Sequence, residues 1–260
     1  MGPASAWPPD WLRPDWPAPS GVQAVCTTRS GGASQPLYAS LNLGDHVGDA
    51  PEAVAANRAR LAQAIGARPV FLRQVHGWEV AELELQTPDA TAADACWTAA
   101  AGVACTVMVA DCLPVLFCTR DGQRVGAAHA GWRGLAGAGA SGVLEAAVGR
   151  LGPAAQLLAW LGPCIGPQAF EVGAEVKAAF EAHDAQAAAC FRAGRPGKWW
   201  ADLAGLARRR LRALGVEAIH GNDSSPGWCT VQNPSRFFSH RRDGVGHGAS
   251  GRFAACIWRG

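Results

Sequence analysis

The sequence lacks the features of a membrane-spanning, secreted or strongly charged protein. Its 23 Lys and Arg residues nearly balance 21 Asp and Glu residues, for a formal net charge of +2. So small a charge gives no reason to expect a nucleic-acid partner. No stretch approaches the roughly 18 consecutive uncharged apolar residues of a transmembrane helix, and the N-terminus has neither the basic region nor the apolar segment of a secretory signal. We therefore expect a cytoplasmic protein without a membrane partner.

Cysteine pairs with metal-binding or redox spacing are also missing. The nine cysteines are scattered and form no CxxC motif, while methionine and tyrosine are scarce, with two and one residues. An odd number of scattered cysteines without a secretion signal is typical of reduced thiols rather than of a disulfide framework.

The apolar pattern indicates one domain. With 49% hydrophobic residues, the chain can bury a large core. No linker or repeat divides it, so we predict a single α+β domain of mixed β-sheets flanked by helices at residues 21–260. An irregular arm rich in proline and tryptophan, residues 1–20, precedes it. Short apolar runs predict strands at 21–29, 70–76, 79–85, 102–110, 113–118 and 124–130, and helical patterns are found at 51–67, 142–152, 172–184 and 203–214.

Three metal-capable residues come where a predicted strand gives way to a turn: His76, Cys112 and His129. A glycine-rich run follows His129, where the backbone can approach a ligand closely. Two imidazoles and one thiolate suit zinc and leave a fourth position open for water or substrate, as in catalytic zinc sites. Two alternatives stay open on spacing alone. Cys112 could be a nucleophile with His129 as its base, or all three could be buried side chains without chemistry.

Copper is the alternative ion, because a cysteine with two histidines also describes a blue-copper site with an axial methionine. Besides Met1, the only methionine is Met108. It lies on the same strand face as Cys112 but four residues away, which is about 13 Å at about 3.3 Å per residue. This distance favours zinc.

Several arginines are flanked by Gly or Ser in predicted loops. They are Arg29 in TTRSGG, Arg133 in GWRG and Arg241 in FFSHRRDG. A guanidinium beside exposed backbone amides suits a phosphate group, although surface ion pairing is the simpler interpretation for any one of them. We assign these three arginines, together with Asn42 of SLNLG, to a predicted substrate and phosphate site.

The ordered motifs TTRSGGAS, SLNLG, QVHG, ADCLPVLFC, AAHAGWRGL, WLGPCIGPQAFEVG and FFSHRRDG, with a final GR and IW, resemble the YfiH family, also described as multicopper polyphenol oxidases or laccase-domain proteins. The resemblance extends from about residue 17 to the C-terminus. It implies that His76, Cys112 and His129 are metal ligands, and that the mixed α+β fold resembles the deamidase domain of cytotoxic necrotizing factor toxins. This chain departs from the family pattern at His240, where the family usually has Tyr, and at the inserted residues 245–250.

The resemblance also implies an activity. The family members are understood as zinc-dependent purine nucleoside phosphorylases that act on adenosine, inosine, guanosine and methylthioadenosine with inorganic phosphate, and that also deaminate adenosine. We consider two rival functions: a copper-dependent phenol oxidase, and a hydrolase that uses Cys112 and His129 on a cell-wall precursor. Nothing in the sequence distinguishes a monomer from a homodimer.

Overall fold

The computed structural model describes residues 7–139, 141–244 and 248–260. In these residues the strands are, in chain order, β1 (Val22–Cys26), β2 (Arg68–Phe71), β3 (Val80–Glu82), β4 (Ala95–Thr98), β5 (Val103–Val109), β6 (Leu113–Thr119), β7 (Val125–Ala130), β8 (Leu157–Leu161), β9 (Glu171–Gly173), β10 (Phe191–Ala193), β11 (Lys198–Ala201), β12 (Ala218–Gly221) and β13 (Phe253–Arg259).

Six α-helices lie between the strands in the same described residues. They are α1 (Pro51–Ile65), α2 (Trp132–Ala136), α3 (Val143–Leu151), α4 (Ala174–Glu181), α5 (Leu203–Ala213) and α6 (His240–Asp243). A search of the described residues for a helix long and apolar enough to cross a membrane finds none.

The strands form three sheets. A four-stranded sheet has the order β1-β13-β5-β2, and a six-stranded sheet has the order β12-β8-β6-β7-β4-β3. Both are mixed, because β2 pairs with β5 in parallel and the six-stranded sheet has a parallel pair at each edge. A small antiparallel sheet, β10-β11-β9, completes the set. The structure confirms the predicted domain of mixed sheets flanked by helices.

The two larger sheets pack face to face over a shared apolar core. Val103, Cys105 and Val107 of β5 belong to the same buried cluster as Leu116 and Cys118 of β6. All seven residues of each strand are buried, so each strand packs on both of its faces. Such strands have continuous apolar sequences without polar alternation.

Helices cover the outer faces of both sheets. Leu61 and Ile65 of α1 pack with Ala104 and Met108 on the outer face of the four-stranded sheet. On the outer face of the six-stranded sheet, residues of α3 and α5 share a cluster with residues of β6 and β7. The four layers are therefore helix, sheet, sheet and helices, and the chain crosses between the sheets at the turn from β5 to β6.

All four predicted helices and all six predicted strands are found, but the strand predicted to end at His76 is too long. The sequence analysis did not assign seven strands and two short helices of the described residues: β4, β8, β9, β10, β11, β12, β13, α2 and α6. The strand predicted at residues 70–76 ends at Phe71 as β2, so His76 lies in a loop and not at a strand end. The backbone of His76 has a positive φ of 60°, which a strand does not accommodate.

The N-terminal segment lies on the body of the protein. Residues 7–20 have no helix or strand, and Leu12 pairs with Cys26 through an isolated backbone bridge. Trp11 is buried, and the ring of Trp7 lies 5.8 Å from that of Trp258. Residues 1–6 of the predicted arm are outside the described residues. The division into an arm at 1–20 and a catalytic domain at 21–260 stays a prediction.

One buried amide on α1 holds the loop that precedes the helix. Asn57 is fully buried, and its Oδ1 accepts a hydrogen bond from the backbone N–H of Ala33 at 2.7 Å. Its Nδ2 donates to Ser34 Oγ and to the carbonyl oxygens of Ser40 and Asn42 at 2.8–3.1 Å. All of its hydrogen-bonding groups are therefore used inside the protein.

We expect Asn57→Ala to lower the free energy of unfolding by about 2–3 kcal/mol, because it leaves several buried polar groups without partners. Denaturant unfolding followed by circular dichroism measures the change. Gln63→Ala, at an exposed position on the same helix, is the matched control and should stay within about 0.5 kcal/mol of the wild type. An equal effect of the two substitutions would contradict the prediction.

Candidate metal centre

Strand pairing brings Cys112 and His129 together. β6 and β7 are antiparallel neighbours, and their register places Pro114 opposite His129. Cys112 lies in the turn just before β6, and His129 is the penultimate residue of β7. Two residues 17 positions apart in the sequence therefore meet at one end of the six-stranded sheet.

A buried carboxylate attaches the His76 loop to this point. Asp94 precedes β4 and is fully buried. Its Oδ1 accepts hydrogen bonds from the backbone N–H of His76 at 2.9 Å and from Nδ1 of His129 at 2.8 Å. Its Oδ2 accepts from the backbone N–H groups of Val75 at 3.1 Å and Gly77 at 2.7 Å. One carboxylate thus positions both histidines.

The same loop is also attached to β5. The side-chain amide of Gln74 exchanges two hydrogen bonds of 2.8 Å with the backbone of Met108. It continues the pairing of β2 with β5 after β2 has ended. The loop is therefore tied to the four-stranded sheet through Gln74 and to the six-stranded sheet through Asp94.

The three ligand atoms match the dimensions of a tetrahedral metal site. The candidate ligand atoms of His76, Cys112 and His129 all lie within 4.8 Å of one another, and Cys112 Sγ is 3.7 Å from His76 Nε2. Zinc bonds of about 2.3 Å to sulfur and about 2.0–2.1 Å to nitrogen predict a tetrahedral S···N separation of about 3.6 Å. The hydrogen bond from His129 Nδ1 to Asp94 leaves Nε2 free to face a metal ion.

Two glycines after His129 allow the chain to pass close to the three candidate ligands. A Cβ atom on Gly131 would lie 2.8 Å from Cδ2 of His76 and 3.1 Å from Sγ of Cys112. A Cβ on Gly134 would lie 2.5 Å from the carbonyl oxygen of Gly77. The glycine-rich run after His129 thus permits the close approach that the sequence predicted.

The cluster also has unusual protonation chemistry. Burial raises the pKa of Cys112, but His129 and His76 outweigh this effect and lower it to about 6. Burial lowers the pKa of His129, while the Cys112 thiolate and Asp94 raise it to about 9. These opposite shifts favour a thiolate on Cys112 and an imidazolium on His129, and a bound metal ion would displace the imidazolium proton.

A cavity of about 300 Å³ opens beside the cluster. Its apolar lining residues include Met108, Trp132, Ile165, Phe170 and Leu203. Its polar lining residues include His46, Gln74, His240, Arg241 and Arg252, besides the three candidate ligands. Such a combination of an apolar surface with a few convergent polar groups is typical of small-molecule sites.

The residues assigned to substrate binding from the sequence lie in different places. Arg241 lines the cavity, and Arg29, Asn42 and Arg133 are not among the lining residues. Arg29 donates to the carbonyl oxygens of Ala39 and Pro234. Each of these four assignments stays a prediction.

The other two side chains have local partners of their own. Arg133 is exposed, and its guanidinium lies over the ring of Trp132 at 4.5 Å. Asn42 is fully buried, and its Oδ1 accepts from the backbone N–H groups of Gly44 and Arg252.

Sequence analysis missed Asp94, Gln74 and Arg252. Asp94 precedes a strand that was not assigned, and no spacing links it to either histidine. Gln74 falls within the residues predicted as strand. Arg252 is part of the quoted GR motif, which could have indicated it. His240, where the chain departs from the family pattern, lines the cavity, whereas residues 245–247 of the adjacent insert are outside the described residues.

We expect Asp94→Asn to weaken zinc binding by about 10–100-fold, as measured for other residues that orient metal-binding histidines. The substitution preserves size but turns one acceptor oxygen into a donor that faces backbone N–H groups. Competition with a chromophoric chelator measures the affinity, and thermal unfolding checks the fold. Asp15→Asn, at an exposed position, is the control. Unchanged affinity in a folded Asp94→Asn protein would contradict this role.

Gly131→Ala should reduce bound zinc, because its new methyl group lies within contact of two ligands. Gly149→Ala is the matched control, since a Cβ at this position meets no atom within 4 Å. Gly149 lies inside α3, where alanine favours folding over glycine by about 0.5–1 kcal/mol. Metal content per chain, by mass spectrometry, distinguishes them. Full zinc occupancy in Gly131→Ala would show that the cluster tolerates the methyl group.

Comparison with known proteins identifies relatives along almost the whole chain. Residues 23–260 match the family model described as multi-copper polyphenol oxidoreductase laccase. Purine nucleoside phosphorylase PA4543 of Pseudomonas aeruginosa is 54% identical over 250 residues, which cover 95% of this chain and 98% of that protein. Purine nucleoside phosphorylase YfiH of Escherichia coli is 49% identical over 248 residues, which cover 94% of this chain and 97% of that protein.

Solved structures give the same result. Protein NMB0706 of Neisseria meningitidis superposes with a TM-score of 0.87 at 46% identity, over 96% of this chain and 99% of that one. The Bacillus licheniformis hypothetical protein YfiH has a TM-score of 0.82 at 28% identity, over 92% of this chain and 93% of that one. These matches confirm the resemblance found in the motifs, and the chain belongs to the YfiH family of laccase-like proteins.

Proposed function

We propose that the protein is a zinc-dependent purine nucleoside phosphorylase. Its substrates are adenosine, inosine, guanosine and methylthioadenosine, which react with inorganic phosphate to give the free base and the sugar 1-phosphate. We also propose that it deaminates adenosine and acts in the cytoplasm. Its nine free cysteines support a reducing compartment.

The observation that carries the proposal is that the three candidate ligands line the 300 Å³ cavity. An ion held by three protein ligands keeps one position open toward substrate, as catalytic zinc does. The names of similar proteins support purine nucleosides and phosphate as the reactants.

The residues of the cavity supply binding and orientation. The apolar lining residues, which include the aromatic Trp132 and Phe170, suit a purine base. Arg241 suits phosphate. In the reaction a phosphate oxygen forms a bond to C1′ while the bond from C1′ to the base nitrogen breaks. Holding the two reactants in line supplies much of the rate enhancement.

A zinc ion held at the candidate metal centre would supply Lewis acidity, to stabilise charge on the leaving base and, for deamination, to activate water. His76, Cys112 and His129 would hold it. Asp94 keeps Nδ1 of His129 protonated, which leaves Nε2 available to the ion.

A second candidate function is a cysteine hydrolase. Cys112, His129 and Asp94 form a chain of nucleophile, base and orienting carboxylate, which is the arrangement of cysteine hydrolases. The two functions differ in their response to chelation, because a thiolate nucleophile needs no metal.

A copper oxidase is the third candidate, and the family description preserves that label. The sequence distance between Met108 and Cys112 favoured zinc, but both residues line the same cavity. The distance along the chain from Met108 to Cys112 therefore does not decide between zinc and copper. The His/Cys cluster found in the described residues consists of three side chains, fewer than a multicopper centre requires.

The protein purified without added metal should contain about one zinc per chain and convert adenosine with phosphate to adenine and ribose 1-phosphate. Chelation should abolish this reaction, and zinc should restore it. Metal analysis and chromatography measure both. Phenol oxidation that needs added copper, with no purine turnover, would contradict the proposal, as would a hydrolase activity that survives chelation.

We expect His129→Ala to lose its bound zinc and to lower the phosphorolysis rate by at least about a hundredfold. Removal of a ligand should weaken metal binding at least as much as removal of a residue that orients a ligand. His183→Ala, which removes an exposed histidine outside the cavity, should behave as the wild type. Full zinc content and full activity in His129→Ala would disprove the metal assignment.

A further inference from the structure

Two arginines that line the cavity have no carboxylate partner among the described residues. Arg29 and Arg242 lie 3.9 Å and 2.6 Å from the carboxylate of Asp243. In contrast, the ion pairs found within the described ranges include neither Arg241 nor Arg252. Both arginines line the same cavity as the candidate metal ligands.

Arg252 is half-buried, and hydrogen bonds fix both its backbone and one end of its guanidinium. Its backbone N–H donates to Oδ1 of the fully buried Asn42 at 2.8 Å. Its Nη1 donates to the carbonyl oxygens of Ser250 at 2.6 Å and Gly251 at 3.1 Å. These bonds leave Nε and Nη2 without a partner in the described part of the chain. Burial lowers the pKa of Arg252, and the nearby Cys112 and Asp111 offset this effect only in part.

Arg241 is held in a similar way. Its backbone N–H donates to Oδ2 of Asp111 at 2.6 Å. Its Nη1 donates to the carbonyl oxygens of Ala169 and Glu171 at 3.4 Å and 3.2 Å, and its guanidinium lies 5.8 Å from the centre of the Phe170 ring. The guanidinium of Arg241 is therefore held by two carbonyl oxygens and lies near the Phe170 ring, which also lines the cavity.

The carboxylate on the cavity wall is already engaged. The Oδ1 of Asp111 accepts from Thr230 Oγ1 at 2.6 Å, and its Oδ2 accepts from the backbone of Arg241. It binds the amide of this arginine and forms no ion pair with its guanidinium. The two positive charges are left for a ligand, and a guanidinium binds a tetrahedral oxyanion through two parallel hydrogen bonds.

We propose that Arg252 and Arg241 form the binding site for inorganic phosphate, with Arg252 as the main anchor and Asn42 as the residue that positions it. This inference deepens the proposed function and depends on it for the identity of the ligand. Asn42 was assigned from the sequence to the substrate site, and here its role is to hold the backbone of Arg252 in place. The sugar phosphate product has the same chemistry and occupies the same arginines.

Arg252→Gln and Arg252→Lys test the anchor, Arg241→Gln tests the second arginine, and Arg150→Gln, at an exposed position on α3, is the control. Initial rates at varied phosphate and varied nucleoside give two separate KM values. Titration calorimetry of the zinc-loaded proteins with inorganic phosphate alone measures binding without turnover, and metal analysis verifies equal zinc content.

We expect Arg252→Gln to raise the KM for phosphate about tenfold or more, as the loss of charged hydrogen bonds predicts, and to leave the KM for the nucleoside within about twofold. Arg252→Lys keeps the charge but loses the fork, so its effect should be intermediate. Arg241→Gln should act in the same direction with a smaller change, and Arg150→Gln should resemble the wild type. Asn42→Ala should raise the KM for phosphate with Arg252 still present.

Calorimetry separates this inference from the proposed function. The wild-type protein could bind phosphate and show no phosphorolysis, while the Arg252 variants lose phosphate binding. This result would support the anion site and refute the proposed reaction. Wild-type phosphate affinity in folded, zinc-loaded Arg252→Gln would overturn the site even if phosphorolysis is confirmed. A nucleoside monophosphate is added as a competitor. If it alone loses affinity in the variants while the KM for phosphate is unchanged, inorganic phosphate is not the ligand.

Discussion

The hydrogen bonds to the Asp94 carboxylate are the constraint on which the site depends. Two oxygens accept from three consecutive amides of the His76 loop and from Nδ1 of His129. Burial raises the pKa of this carboxyl, but the hydrogen bond from His129 and those from the backbone outweigh it and lower the pKa. A buried charge with four donors is fully satisfied, so the histidines are oriented before any ion arrives.

The location of the site follows from the way the two sheets meet. The chain leaves the four-stranded sheet after β5, passes through Asp111 and Cys112, and enters the six-stranded sheet as β6. Asp111 has a positive φ of 98°, and His76 one of 60°. Positive φ values are uncommon for residues with side chains, and they concentrate at functional sites where the surrounding structure holds them. Here the carboxylates of Asp94 and Asp111 supply that support.

The lining of the cavity combines two kinds of side chain. Apolar and aromatic residues line it together with the candidate metal ligands, Arg241 and Arg252. This combination suits a nucleoside, which has an apolar aromatic base, and an anionic second reactant. The family model carries an oxidase description, and copper binds strongly to cysteine and histidine ligands that also suit zinc.

Sequence alone determined the fold class, about half of the strands, the four longest helices and the three candidate ligands, because continuous apolar runs, helical periods and residue chemistry are local properties. It placed His76 wrongly at a strand end, since the backbone turn there depends on Asp94. It did not recognise Asp94 or Arg252, because neither is related by spacing to the residues it contacts. Only the tertiary structure decided which arginines line the cavity and which are used elsewhere, because hydrogen bonds such as that from Arg252 to Asn42 join residues 210 positions apart.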